Sequence, residues 1–341
     1  HTAEISDEFV DAIYNLTLDY KDLSLRSAEQ VKSGEFIVDH TAPDLDAMDI
    51  TYSTPITETI LSAVTFGFYN PSVEVTFTAE DPISGIDYFI WSYEKEEGAS
   101  DINVPEYGDA KLEAEQDAAD KAVFTATVTL PKDEAEQLRG SLAFNATDKY
   151  NNVSQKLTDT DNVIIVDTIA PEMTAEFDTP SRIVGSNMYY NKDAGVSFTV
   201  TEANFYPEDV QVEISKDGGA FTRVIPEWTE VSTDVHVGRY TVSAPSDHSG
   251  DGDYVIRVNY TDRSSNRMET YTSDIITIDT IAPVINVSYL NHDVKNTLQD
   301  TAGNARDYYD TVQTAVVTVR EHNFEASEVD LQIAAEDVSG S

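Results

Sequence analysis

The residues of this chain whose types and spacing could do chemistry are acids and amides. Asp39, Asp167 and Asp279 each end an apolar run and stand four positions before a proline, in FIVDHTAP, IIVDTIAP and ITIDTIAP. Two more acids, Asp148 and Asp262, open the polar phrases DKYNN and DRSSN, which carry Asn152 and Asn266 at the same offset. Such oxygen donors suit a hard divalent cation, since Ca2+ takes about six to eight oxygen ligands and can draw them from several loops. Asp39, Asp167, Asp279, Asp148 and Asp262 are therefore candidate calcium ligands, and no other cofactor is expected. The same residue types also form turns, because Asp and Asn hydrogen-bond their own backbone and tolerate left-handed conformations. No loop has the EF-hand spacing that would decide between the two readings.

Constellations for catalysis are missing from the sequence. The six histidines, His1, His40, His236, His248, His292 and His322, are scattered, and HExxH, GxSxG, GxxxxGK and GxGxxG do not occur. With 63 Asp and Glu residues, two carboxylates near each other say little about glycoside chemistry. The expectation is a protein that is not an enzyme. A net charge of -42, from 21 Lys and Arg against those acids, repels phosphate backbones and anionic lipid. Nucleic acid is excluded as a partner. No apolar stretch approaches the roughly 20 residues of a membrane helix, so membrane insertion is not expected either. Cysteine is absent, which removes disulfides, thiolate metal sites and cysteine nucleophiles.

What must position these acids is a repeat. The proline-ended phrase recurs at 36–43, 164–171 and 276–283, with copies a little over the roughly 100 residues of a seven-stranded sandwich apart. Within each period an aromatic pair (FYN, YYN, YYD) precedes a run alternating apolar and polar residues: VEVTFTAED, VSFTVTEANF and AVVTVREHNF. That alternation predicts strands with one buried face. Late in each period SLAFNATDKYNN matches VIRVNYTDRSSN, and AIYNLTLDYKDLS in the first forty residues matches the same phrase. The chain therefore divides into C-terminal strands of a preceding repeat at 1–42, complete repeats at 43–170 and 171–282, and N-terminal strands of a following repeat at 283–341. The fold class is all-β, tandem immunoglobulin-like β-sandwich domains in a linear array. Helix is expected only as decoration, in KLEAEQDAADKA at 111–122 and as one turn in PKDEAEQLRG at 131–140.

These motifs resemble the bacterial Ig-like (Big) domains of adhesin stalks and other large Gram-positive surface proteins. DTIAP at 167–171 and 279–283 resembles their interdomain junction, DPISGI at 81–86 their DxxSGI turn, and Asp148 to Asn152 and Asp262 to Asn266 their DxxGN turn without its glycine. GDGDY ending at Tyr254 resembles a tyrosine corner, which the preceding copy lacks, having LRG at 138–140. The repeats carrying EANF and EHNF are also similar to those of surface proteins of gut Firmicutes, among them immunoglobulin-binding superantigens. The resemblance implies a secreted protein of the bacterial cell surface, extracellular and monomeric. It implies binding of a host protein, with antibody variable domains the most specific candidate, or a passive adhesin stalk.

Candidate partner-binding residues are Phe89, Trp91 and Tyr93. If Ile86 aligns with Val210, Tyr88 and Ile90 match inward Val212 and Ile214, while Phe89, Trp91 and Tyr93 form an outer aromatic row. Such a row is an interface candidate or a carbohydrate platform, since Trp and Tyr dominate hot spots. A slip of one residue would swap the faces and make Trp91 a core tryptophan.

Overall fold

The computed structural model describes residues 9–61, 64–101, 109–133, 136–290, 294–299 and 302–334. Among these the regular elements are strands and three single-turn 3-10 segments, with no α-helix. The architecture is all-β.

The first sandwich faces a sheet ordered Ala110–Glu113, Ile86–Lys95, Leu138–Asp148, Asn162–Val166, Val64–Tyr69, Thr57–Leu61 against one ordered Glu115–Gln116, Val123–Leu130, Val73–Glu80, Asp49–Tyr52. Alternation along Val73–Glu80 sends Val73, Val75, Phe77 and Ala79 inward, where they meet Phe89, Trp91, Leu142 and Phe144 of the facing sheet. The second sandwich repeats the plan. Glu172–Phe177, Ala194–Thr201, Val235–Val242 and Glu227–Ser232 form one sheet. The other is ordered Arg182–Val184, Asn187–Tyr190, Ile276–Ile278, Gly252–Asn259, Gln211–Lys216, Thr222–Val224. In each sandwich the last strand pairs in parallel with a strand near the beginning, Asn162–Val166 with Val64–Tyr69 and Ile276–Ile278 with Asn187–Tyr190. That parallel pair brings the end of each sandwich's chain back to its start and so fixes where the strand-end aspartates lie. Two-stranded antiparallel pairs precede and follow, Ala12–Tyr14 with Phe36–Val38 and Val284–Tyr289 with Ala315–Arg320.

Two expectations are corrected. Phe89, Trp91 and Tyr93 do not form an outer row; all three are buried in the core, Trp91 at 1% exposure and stacked on Phe77 with centroids 6.1 Å apart. Pairing with the neighbouring strand sets this register. Trp91 lies opposite Phe144 just as Val212 lies opposite Val258, so the position equivalent to Trp91 is the inward Val212. A β-bulge leaves Asp87, between Ile86 and Tyr88, without a partner residue on Leu138–Asp148, and Ile86 joins the buried face too. The second correction concerns 111–122, where Ala110–Glu113 and Glu115–Gln116 are strands, each pairing at the edge of a sheet. Helix propensity is a weak prior, and here ladder hydrogen bonds to Phe89, Ile90 and Trp91 override it.

Candidate cation sites at the repeat borders

The first two borders are each built from three acids on three different segments. The first ends the closing strand of one repeat, the second follows the early strand of the next, and the third opens that repeat's late turn. At the first border these are Asp39, Asp81 and Asp148, and at the second Asp167, Glu202 and Asp262. Within each trio one carboxylate oxygen per residue lies within 4.8 Å of the others, and all six side chains are buried. Asp279 and Glu321 continue the series at the third border.

Local hydrogen bonds orient every acid. Asp148 Oδ1 accepts from the backbone N–H of Tyr150 and Asn152, and its Oδ2 from Asn152 Nδ2 at 2.7 Å. Asp262 Oδ1 accepts from Asn266 N and its Oδ2 from Asn266 Nδ2 at 2.9 Å. These asparagines also cross the border: Asn152 Nδ2 donates to the Asp39 carbonyl at 3.3 Å and Asn266 Nδ2 to the Asp167 carbonyl at 2.9 Å. From the other side, Asp11 accepts from His40 N and Thr41 Oγ1 at the first border, and at the third border Asp251 accepts from Thr280 N and Thr280 Oγ1. So the turn reading and the ligand reading of these residues coexist, because a turn can hold its aspartate still and leave it facing its neighbours.

The electrostatics are unusual. Two unit charges about 4 Å apart repel by about 4 kcal/mol at an effective dielectric near 20. Among the described residues no Lys, Arg or His nitrogen lies within ion-pair range of any acid in either trio. The charge must be met by a proton or by a cation. At the second border burial, then the charge of Asp167, pushes the Glu202 carboxyl up to about 9, and burial raises Asp262 to about 6. Glu202 therefore holds a proton at neutral pH.

The second border has an apolar contact as well. Phe66, Phe68, Val163 and Ile165 form a small buried cluster on the outer face of the first sandwich, and Tyr206 of the second sandwich packs against it, its ring 6.0 Å from Phe68. Arg263 covers the other face of that contact, its guanidinium carbon 3.4 Å from the Tyr206 centroid and its Nη1 bonded to Thr59 Oγ1 at 3.2 Å. Asn70 Nδ2 adds bonds to the Ser264 carbonyl and to Asn266 Oδ1.

The five aspartates proposed from the sequence thus separate into Asp39 with Asp148, Asp167 with Asp262, and Asp279 with neither. Asp81 and Glu202 were missed. The signal for them is the acid that directly follows the early strand in all three repeats, in TAED, VTEANF and VREHNF. Phe89, Trp91 and Tyr93 are brought together, but as core.

No protein-family model matches this chain, and no curated protein matches it. Among solved structures it is similar to dimeric latent PorU from Porphyromonas gingivalis, at 12% identity and a TM-score of 0.25, over 90% of this chain and 36% of that one. This chain spans little more than a third of that protein, and so loose an overlap carries no argument about fold or activity.

Proposed function

We propose that this segment is a structural spacer of a secreted bacterial surface protein, non-catalytic, whose consecutive sandwiches are held at fixed borders. One observation carries the reading: the same side-chain ties recur at successive borders. Asn152 and Asn266 each bond the carbonyl of the strand-end aspartate across the border, and Asn204 and Asn323 each bond its carboxylate. Proline four residues beyond each aspartate fixes φ near −65° and removes slack. Conserving a joint from repeat to repeat is what a load-bearing or distance-setting array requires. Capture of a host protein such as an antibody variable domain, which the resemblance of the repeats implies, and capture of a carbohydrate had Phe89, Trp91 and Tyr93 as their named residues, and burial of all three leaves those readings without them.

Because the chain has no cysteine, paired spin labels can be introduced without background. Labels at Thr129→Cys and Thr229→Cys, exposed positions on the two sandwiches, are expected to give one narrow distance distribution. A broad distribution in the unaltered background would overturn the spacer reading. Titration against polyclonal immunoglobulin is expected to show no binding at micromolar concentration, and saturable binding there would restore the receptor reading.

A further inference from the structure

The first border differs from the other two in its early loop, which reads DPIS at 81–84 where the others read EANF at 202–205 and EHNF at 321–324, and one of these differences changes the hydrogen bonding of the strand-end acid. Two positions after the acid that follows the early strand stands Ile83 at the first border, Asn204 at the second and Asn323 at the third. Asn204 and Asn323 each give an amide N–H to Oδ2 of the strand-end aspartate, at 2.8 Å in both cases. The Ile83 side chain has no donor to give. Asp39 Oδ2 is correspondingly buried with no hydrogen-bond partner, on a residue only 7% exposed whose carboxylate stands among those of Asp81 and Asp148.

The other oxygens of the trio are held by their own turns. Asp39 Oδ1 accepts from Thr41 N, Asp81 Oδ1 from Ile83 N and Ser84 N, and Asp81 Oδ2 from Ser84 Oγ. These bonds fix the carboxylates in place without supplying charge. A buried acceptor left unpaired beside two further buried carboxylates is costly, and a cation with an all-oxygen coordination sphere removes that cost. Three carboxylates from three segments, none of them paired with a basic side chain, match the preference of Ca2+ for several hard ligands in flexible geometry.

We propose that Asp39, Asp81 and Asp148 bind one calcium ion at the first border, and that the amides of Asn204 and Asn323 do the ion's work at the second and third. The array then carries two kinds of joint, one closed by a cation and one closed by its own side chains. The site would bind calcium whether the chain acts as a spacer or as a receptor, so the two readings fail independently.

Calcium binding to the full chain is measured by isothermal titration in potassium chloride at physiological ionic strength, where weak association with exposed acids is screened. One saturable equivalent is expected. Asp39→Asn should abolish it, and Ile83→Asn should abolish it too, by installing the missing donor. Asn204→Ile should add a second equivalent. Circular dichroism and melting in chelator check that each variant is folded, and the Ile83→Asn chain should melt in chelator no lower than the unaltered chain. Absence of a saturable equivalent, or one that survives both Asp39→Asn and Ile83→Asn, overturns the proposal. Two equivalents in the unaltered chain would overturn the distinction between the borders.

Discussion

Asn204 reaches from the second sandwich to the end of the first, its Nδ2 donating to Asp167 Oδ2 at 2.8 Å while its Oδ1 accepts from Arg139 Nη1 at 3.1 Å. One amide thus ties a strand-end acid and a core-strand arginine of one repeat to the early loop of the next. Arg139 is also held by Glu96 through a 2.6 Å bond from its Nε. Removing the amide leaves a buried carboxylate oxygen without its donor, which costs about 1–3 kcal/mol. Asn204→Ala is therefore expected to lower stability by about that amount in chemical denaturation, and Ile83→Ala, which removes no hydrogen bond, should leave the second sandwich's transition in place.

Trp91 makes a second test. Phe/Trp→Ala changes in a closed core cost about 3–5 kcal/mol, and Trp91 sits between Phe77 and the strand carrying Phe144 with almost no surface exposed. Trp91→Ala should destabilise the first sandwich on that scale. The chain has two tryptophans, so Trp228→Phe leaves Trp91 as the sole emitter. Its fluorescence should resist acrylamide quenching, and ready quenching would return Trp91 to the surface.

The reason the sequence misleads at Trp91 is a choice of anchor. Aligning Ile86 with Val210 matches two apolar residues but introduces an offset of three positions between repeats. Counting without a gap from the border acid, Asp81 against Glu202, puts Phe89, Trp91 and Tyr93 on Val210, Val212 and Ile214, as the strand pairing does. The acids are the better anchor because the border geometry ties them, whereas apolar positions can slide past a bulge. Alternation along VEVTFTAE is legible because a single face is buried and no bulge interrupts it. KLEAEQ reads as helix because nothing local reveals that an open sheet edge, alongside Ile90, is waiting for it.

Glu202 sets a pH dependence whose sign is fixed by burial. Its carboxyl ionises near 4.5 in the unfolded chain and at about 9 in the folded one, so the folded state holds the extra proton between these values. The stabilising contribution is full below about 4.5 and is lost as pH rises toward about 9. Asp262, raised to about 6, acts in the same direction over a narrower range. In chelator, Glu202→Gln should flatten the fall in melting temperature between neutral and alkaline pH, because glutamine keeps the acceptor used by Asn204 N and carries no charge. A slope unchanged by this substitution would place the titrating group elsewhere.

The strands Leu138–Asp148 and Gly252–Asn259 of the two sandwiches settle the same corner differently, which gives unequal costs for two small changes. Tyr254 Oη donates to the Gly250 carbonyl at 2.6 Å, and Tyr14 Oη does the same to the Val10 carbonyl at 2.7 Å. The equivalent position in the first sandwich is Gly140, where the ring of Tyr93 fills the space and its Oη accepts from Arg139 N at 2.9 Å. A Cβ added at Gly140 would stand 2.2 Å from the Glu94 carbonyl oxygen and 2.8 Å from the Tyr93 ring. The backbone oxygen cannot move aside without breaking the pairing between Ile86–Lys95 and Leu138–Asp148. Tyr254→Phe loses one hydrogen bond, about 0.5–1.5 kcal/mol. Gly140→Ala is expected to cost more, about 1–3 kcal/mol, because overpacking a closed core forces backbone shifts. Urea denaturation of both variants checks the order, and a Gly140→Ala chain as stable as the unaltered one would mean that the Tyr93 ring does not occupy this corner.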